Sequence, residues 1–167
     1  MNLYILRHGI AVESGTPGYE KDSERPLTPE GERKLARIAG AMKEMELTFD
    51  LILSSPYVRA RQTAEVVARC FRAGKALEFS DELTPGGDPR ALIGEIHRHE
   101  PEPRDVLLVG HEPYLSDLVA MLVAGKTGLT VTLKKGGLCK LGTESLKYGP
   151  CASLEWLLTP KQMARMA

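Results

Sequence analysis

Three short apolar runs stand out along the chain: Leu3-Tyr4-Ile5-Leu6, Leu51-Ile52-Leu53 and Val106-Leu107-Leu108-Val109. A strand with one wet face alternates apolar and polar residues, so uninterrupted runs of this length predict strands buried on both faces, as in a parallel sheet. Between them the period becomes helical. Leu115, Leu118, Val119, Leu122 and Val123 recur at the spacing of one amphipathic stripe, and so do Leu35, Ile38, Ala39, Met42 and Met45. The second of these helices has a readable start, because Thr28 can cap orphan amides, Pro29 suits the first turn and Glu30 suits the positive end of the dipole. A third helix is expected over residues 57–71, with Ala60, Ala64, Val67 and Phe71 inward.

Strands that alternate with helices imply an α/β fold, a three-layer sandwich with a central, mostly parallel sheet flanked by helices and joined by right-handed crossovers. Beyond Lys135, Gly136-Gly137 and the turn at Tyr148-Gly149-Pro150 frame residues 138–141 and 152–158, which read as a closing β-hairpin. Residues 72–105 are rich in Gly and Pro and weak in period. They are expected to be loop, a short helix around residues 90–97, then loop.

Composition narrows the class. A chain of 167 residues, 43% of them hydrophobic, suits one compact domain over residues 1–167. Lys plus Arg and Asp plus Glu both number 22, so no overall basic field argues for nucleic acid or anionic lipid, and any anion site must be local. Cys70, Cys139 and Cys151 are an odd number, lie far apart and form no C-x-x-C, which fits neither a disulfide framework nor a zinc knuckle. With no basic leader before Leu3 and no apolar run of membrane-spanning length, the expected compartment is the cytoplasm.

In open α/β sheets ligands bind beyond the carboxyl ends of the strands. Here the first strand is followed by Arg7-His8-Gly9, the second by Ser54-Ser55-Pro56-Tyr57-Val58-Arg59-Ala60-Arg61-Gln62-Thr63, and the third by Gly110-His111-Glu112-Pro113. Two imidazoles and two guanidiniums converging on one place make a pocket for a dianion, since Arg offers a rigid donor fork matched to phosphate oxygens. Gly9 would let backbone and ligand approach closely, and Pro113 would aim the next helix at the same spot. A neutral nitrogen of His8 can attack phosphorus in line, giving a phosphohistidine intermediate that water then hydrolyses, while His111 and the arginines hold the equatorial oxygens. This chemistry needs no metal and no cofactor.

The same blocks carry a resemblance. Leu6-Arg7-His8-Gly9-Ile10-Ala11, Arg25-Pro26-Leu27-Thr28-Pro29-Glu30-Gly31, Ser54-Ser55-Pro56 with Arg59-Ala60 and Gln62-Thr63, Glu82-Leu83-Thr84-Pro85, Val109-Gly110-His111-Glu112-Pro113 and Leu154-Glu155-Trp156-Leu157-Leu158 resemble the histidine phosphatase superfamily, in order and over nearly the whole chain. The likeness is greatest to its small SixA-type phosphohistidine phosphatases. It implies a phosphoglycerate mutase-like fold, His8 as nucleophile, and Arg7, Arg59 and His111 as the phosphate pocket. Larger members carry a carboxylic acid over the leaving group, often after a longer insertion. Here the insertion is short, and Glu82 and Glu112 are the candidate acids.

An alkoxide leaves poorly without a proton donor, whereas the P–N bond of phosphohistidine is labile and the leaving imidazole can carry its own proton. The expected substrate is therefore a phosphohistidine on a partner protein, such as a histidine phosphotransfer domain, presented to a shallow, open pocket. A small-molecule phosphomonoesterase is the alternative enzyme, and an inactive phosphate- or phosphohistidine-binding module is the alternative of another class. His97 and His99 form an H-x-H beside Arg98 and Glu100, which reads as solvated charge rather than a metal site. Arg61 is expected to face solvent or pair with a carboxylate.

Overall fold

The computed structural model describes residues 1–126 and 128–167. Six strands form one sheet: β1 (Asn2–Arg7), β2 (Leu51–Ser54), β3 (Leu77–Phe79), β4 (Asp105–Gly110), β5 (Leu138–Thr143) and β6 (Ala152–Leu158). Their spatial order is β3-β2-β4-β1-β5-β6. The first four are parallel, β5 runs antiparallel on β1, and β6 antiparallel on β5. The sheet is therefore mixed and mostly parallel. The helices are α1 (Pro29–Glu44), α2 (Val58–Phe71), α3 (Pro89–His97), α4 (Tyr114–Ala124) and the short α5 (Pro160–Met163).

The apolar runs behave as two-sided strands must. Alternate residues point to opposite faces, and the core divides accordingly. Leu3, Ile5, Leu53 and Leu108 pack with Leu92 and Ile96 of α3 and Leu115, Leu118 and Leu122 of α4. Tyr4, Leu6, Ile52 and Leu107 pack with Leu35, Ile38 and Met42 of α1, Ala60, Ala64 and Val67 of α2, and Met163 of α5. Each fully buried Leu or Ile contributes roughly 1.5–3 kcal/mol relative to an exposed one, so the continuous runs are what hold three layers together.

Local chemistry sets the helix starts. The Thr28 hydroxyl accepts from the Gly31 amide at 3.0 Å, with Pro29 next, and the Asp88 carboxylate accepts from the Arg90 amide at 2.8 Å, with Pro89 next. α1 ends at Glu44, so Met45 lies just past it as the C-cap. Within residues 72–105 the helix around 90–97 is present as α3, but the expected loop before it contains β3. Its three residues add an edge strand beside β2.

Registry positions the site. Arg7 at the end of β1 lies opposite Gly110 of β4, and Ser54 of β2 lies opposite Val109. Three carboxyl ends therefore finish at one level of the sheet. Among the described residues no helix is long and apolar enough to cross a membrane.

Candidate active site

His8 follows β1 directly, with its amide donating to the Gly110 carbonyl at 3.0 Å. Its Nδ1 lies 2.7 Å from the Gly9 carbonyl oxygen. A carbonyl only accepts, so Nδ1 carries the proton and Nε2 presents a lone pair. That lone pair receives the Nε–H of Arg59 at 3.2 Å. His8 is 5% exposed, Arg59 3% and His111 2%.

Arg59 lies in the first turn of α2, which starts right after the Ser54-Ser55-Pro56 bend. Its Nη1 donates to the Asp22 carbonyl at 2.7 Å and its Nη2 to the Asp22 carboxylate at 3.0 Å. The other carboxylate oxygen of Asp22 accepts from Nε and Nη2 of Arg25 at 2.9 and 2.6 Å. Arg25 in turn donates to the Val12 carbonyl at 2.6 Å. One carboxylate thus joins two guanidiniums at the mouth of the site.

His111 directly follows β4, and its Nε2 is 2.8 Å from the Ser55 hydroxyl. Its ring centroid lies 5.2 Å from that of His8 and 5.1 Å from that of Tyr57. The Nδ1 of His111 and the Nε of Arg7 are buried without a hydrogen-bond partner. Arg7 is anchored through Nη1 to the Leu133 carbonyl at 2.9 Å. Two unpaired buried polar atoms so near His8 mark an unfinished polar site, because buried groups of this kind normally find partners.

A further layer fixes the loop that carries His8. The Gly9 amide donates to the Thr63 hydroxyl at 3.1 Å, and that hydroxyl donates to the Arg59 carbonyl at 2.7 Å. The Leu27 amide donates to the Gln62 side chain at 2.7 Å. Packing also constrains Gly9, since a Cβ there would stand 2.6 Å from Leu35 Cδ1, which would have to shift.

Burial is the main reason His8 is pushed down to about 3; the Gly9 hydrogen bond opposes it, and smaller contributions from His111, Arg59 and Arg7 act in the same direction as burial. Burial likewise brings His111 down to about 4, assisted by Arg59. Both rings are neutral at physiological pH. Asp22 behaves oppositely: burial alone would raise its carboxyl, but the hydrogen bonds from Arg25 and Arg59 hold it below its ordinary value. A neutral, singly oriented imidazole beside fixed guanidiniums can act as a nucleophile toward an electrophile whose developing charge those cations stabilise.

The sequence-derived candidates separate into two groups. His8, Arg59 and His111 come together at the three strand ends, and Arg7 adjoins them. Glu82 and Glu112 do not. Glu82 accepts from the Asp88 amide at 2.7 Å and so braces its own loop. Glu112 accepts from the Ser116 amide at 3.0 Å and binds the Ser116 hydroxyl, capping α4. Among the described residues neither carboxylate hydrogen-bonds Arg7, His8, Arg59 or His111. Nothing in the sequence pattern singles out Asp22, although it stands three residues before Arg25. Nor is the pocket open here, because the turn over Asp22–Glu24 reaches Arg59 and its neighbours are almost fully covered.

Arg61 pairs with Glu65 at 3.8 Å on the outer face of α2. His97 and His99 point to different partners, Glu102 with the Leu146 carbonyl for one and Glu78 with the Glu95 carbonyl for the other. Among the described residues no three His, Cys, Asp or Glu side chains gather as metal ligands.

A sheet of this order with imidazoles and guanidiniums at three strand ends makes an α/β protein whose site has the donors to hold a tetrahedral oxyanion. Comparisons make the class specific. Residues 3–84 match the histidine phosphatase superfamily (branch 1). The chain is 32% identical over 160 residues to the phosphohistidine phosphatase SixA of Escherichia coli K12, covering 90% of this chain and 95% of that one. An uncharacterised protein of Picosynechococcus sp. is 37% identical, with 84% of each chain covered. The structure of the protein histidine phosphatase SixA complexed with tungstate superposes with a TM-score of 0.79 at 28% identity, over 96% of this chain and 98% of the other. The chain belongs to the histidine phosphatase superfamily and is a phosphatase.

Proposed function

We propose that this phosphatase hydrolyses phosphohistidine on a partner protein, by way of a phosphoryl group carried on Nε2 of His8 and without a metal. The observation that supports this reading most is the His8 ring itself. Its Nδ1–H is tied to the Gly9 carbonyl, so the lone pair is confined to Nε2, on the side where Arg59 lies. In the first step Nε2 gives up the hydrogen bond from Arg59 Nε and forms a bond to phosphorus as the substrate's P–N bond breaks, and the released Arg59 N–H turns to a phosphoryl oxygen. The substrate reacts as the form whose other ring nitrogen has taken a proton from solvent, so that imidazole leaves neutral without a protein acid. Arg59, Arg7 and His111 hold the equatorial oxygens. Water then attacks the phosphorus on His8, keeps its protons on the departing inorganic phosphate, and returns His8 to its starting tautomer.

The carboxylates favour this substrate class over alkyl esters. Glu82 and Glu112 are engaged in a loop and a helix cap, and Asp22, held ionised by two guanidiniums, has no proton to give at neutral pH. A leaving group that needs no external acid suits such a site. The relatives point the same way, since SixA of Escherichia coli is named a phosphohistidine phosphatase. Participation of both ends of the chain in one sheet supports reading residues 1–167 as a single domain.

The test compares turnover of phosphoramidate and a phosphohistidine peptide with that of an alkyl phosphomonoester between pH 5 and 9. This reading expects the P–N substrates to be hydrolysed at least about a hundredfold faster in kcat/KM, the usual worth of a missing general acid. Equal or better turnover of the ester, with an alkaline limb from a protonated acid, would contradict it.

A further inference from the structure

Beyond the catalytic cluster lies a groove of about 410 Å³ between α1, α5 and the loop before β5. Its floor includes Ile38 and Pro160, and its walls carry Lys34, Arg37, Lys134 and Lys161. Lys34 pairs with Glu30 at 2.7 Å. Among the described residues Arg37, Lys134 and Lys161 form no ion pair. In a chain with 22 basic and 22 acidic residues, this concentrates unneutralised positive charge in one concavity.

The groove is separated from the catalytic loop by one glycine. The Gly136 amide donates to the carbonyls of Arg7 and His8 at 3.0 and 3.2 Å. On its other side, a Cβ on Gly136 would stand 2.8 Å from Ile38 Cδ1 and 3.7 Å from Pro160 Cγ. Gly136 also holds φ +77°, a conformation open to glycine at little strain. The backbone of His8 and the groove floor therefore face the two sides of the same residue, and Lys134 flanks it.

We propose that this groove docks an acidic segment of the phosphoprotein substrate, next to the phosphorylated histidine. The proposal rests on the phosphohistidine reading above. The groove thus adjoins the backbone that carries His8, so a protein substrate with its phosphohistidine at His8 has chain on either side of that residue to lay against it. The cationic walls select carboxylates, while the partly exposed Pro160 can take an apolar contact among them. Charge complementarity of this kind acts on encounter and partner choice more than on chemistry. Small substrates gain nothing from it.

The test uses synthetic phosphohistidine peptides of equal length, flanked by glutamates or by lysines, with phosphoramidate as the small substrate. Wild-type protein is expected to prefer the acidic peptide, through KM. Lys134→Glu, Lys161→Glu and Arg37→Glu, made singly on three different elements, are each expected to cut that preference about fivefold, the order of one exposed ion pair turned into a repulsion. Phosphoramidate turnover should stay within about twofold of wild type, which also reports that the variants are folded. An unchanged peptide preference in all three variants would overturn the docking surface, as would groove variants that lose binding to phosphatidylserine vesicles while keeping the preference. Absence of wild-type phosphoramidate turnover would instead overturn the phosphatase chemistry, so the two failures are distinct.

Discussion

Arg59 Nε donates to His8 Nε2 across 3.2 Å, so the nitrogen that carries the ring's lone pair is the one a guanidinium already engages. The contact holds the ring in one tautomer together with the Gly9 carbonyl, and it places fixed positive charge where an incoming phosphoryl group would lie. Arg59 is in turn oriented by Asp22, whose carbonyl and carboxylate take its two Nη groups. Orientation by Asp22 has an electrostatic cost, since the carboxylate also repels a dianion.

Asp22→Asn separates these effects. Removing the charge is expected to tighten phosphate or tungstate binding severalfold while lowering kcat about tenfold, because Arg59 loses its orienting partner. The stability loss should be about 1 kcal/mol, as Asp22 is half exposed. Arg59→Lys, which keeps the charge but loses the fork, should cost kcat more, about a hundredfold. Oxyanion titration beside steady-state kinetics checks both, and an Asp22→Asn protein with weaker oxyanion binding and unchanged kcat would refute this division.

The buried histidines predict a pH dependence of stability. His8 at about 3 and His111 at about 4 lie below their ordinary value of 6.5. Between these values and 6.5 the unfolded chain binds protons that the folded one does not. Stability is therefore complete above pH 6.5 and falls as the pH drops toward 4 and then 3, by up to roughly 1.4 kcal/mol per pH unit for each ring. Denaturant unfolding at pH 4.5 to 7.5 should show a shallower slope for His8→Gln than for wild type. Parallel slopes would show that His8 titrates normally in the fold.

For the carboxylates, Glu112→Gln should lower stability by about 0.5–1 kcal/mol, since it weakens a helix cap. It should leave phosphoramidate turnover within twofold. Glu82→Gln should do the same to its loop through the Asp88 amide. Calorimetry and initial rates decide, and a tenfold fall in turnover for either variant would give that residue a role at the leaving group.

Parts of this fold are legible in the sequence because of burial. β1, β2 and β4 are covered on both faces, so their apolar runs are continuous and unmistakable. β3 is not, because it has three residues at the sheet edge and leaves Glu78 and Phe79 exposed. The convergence of strand ends follows from parallel order alone. Asp22 does not, because a carboxylate between Lys21 and Glu24 reads as a solvated charge, and its meaning depends on an arginine 37 residues away. The nearby Arg25-Pro26-Leu27-Thr28 block was the available signal. Thr63 and Gln62 likewise stood inside a recognisable block, yet their hydrogen bonds to Gly9 and Leu27 are tertiary facts. Gly9 carries a constraint the sequence does not show, the closeness of Leu35 to its Cα. Gly9→Ala is accordingly expected to cost roughly 1–3 kcal/mol of stability by overpacking, measurable as a lowered unfolding midpoint, and an undisturbed midpoint would show that Leu35 can move aside.

The central claim is the covalent step on His8, and rapid quench with radiolabelled phosphoramidate tests it most directly. Wild-type protein is expected to carry an acid-labile, alkali-stable phosphate, formed within one turnover, mapped to His8 and missing from His8→Ala together with activity. Turnover without any trapped label, or label that persists in His8→Ala, would contradict it.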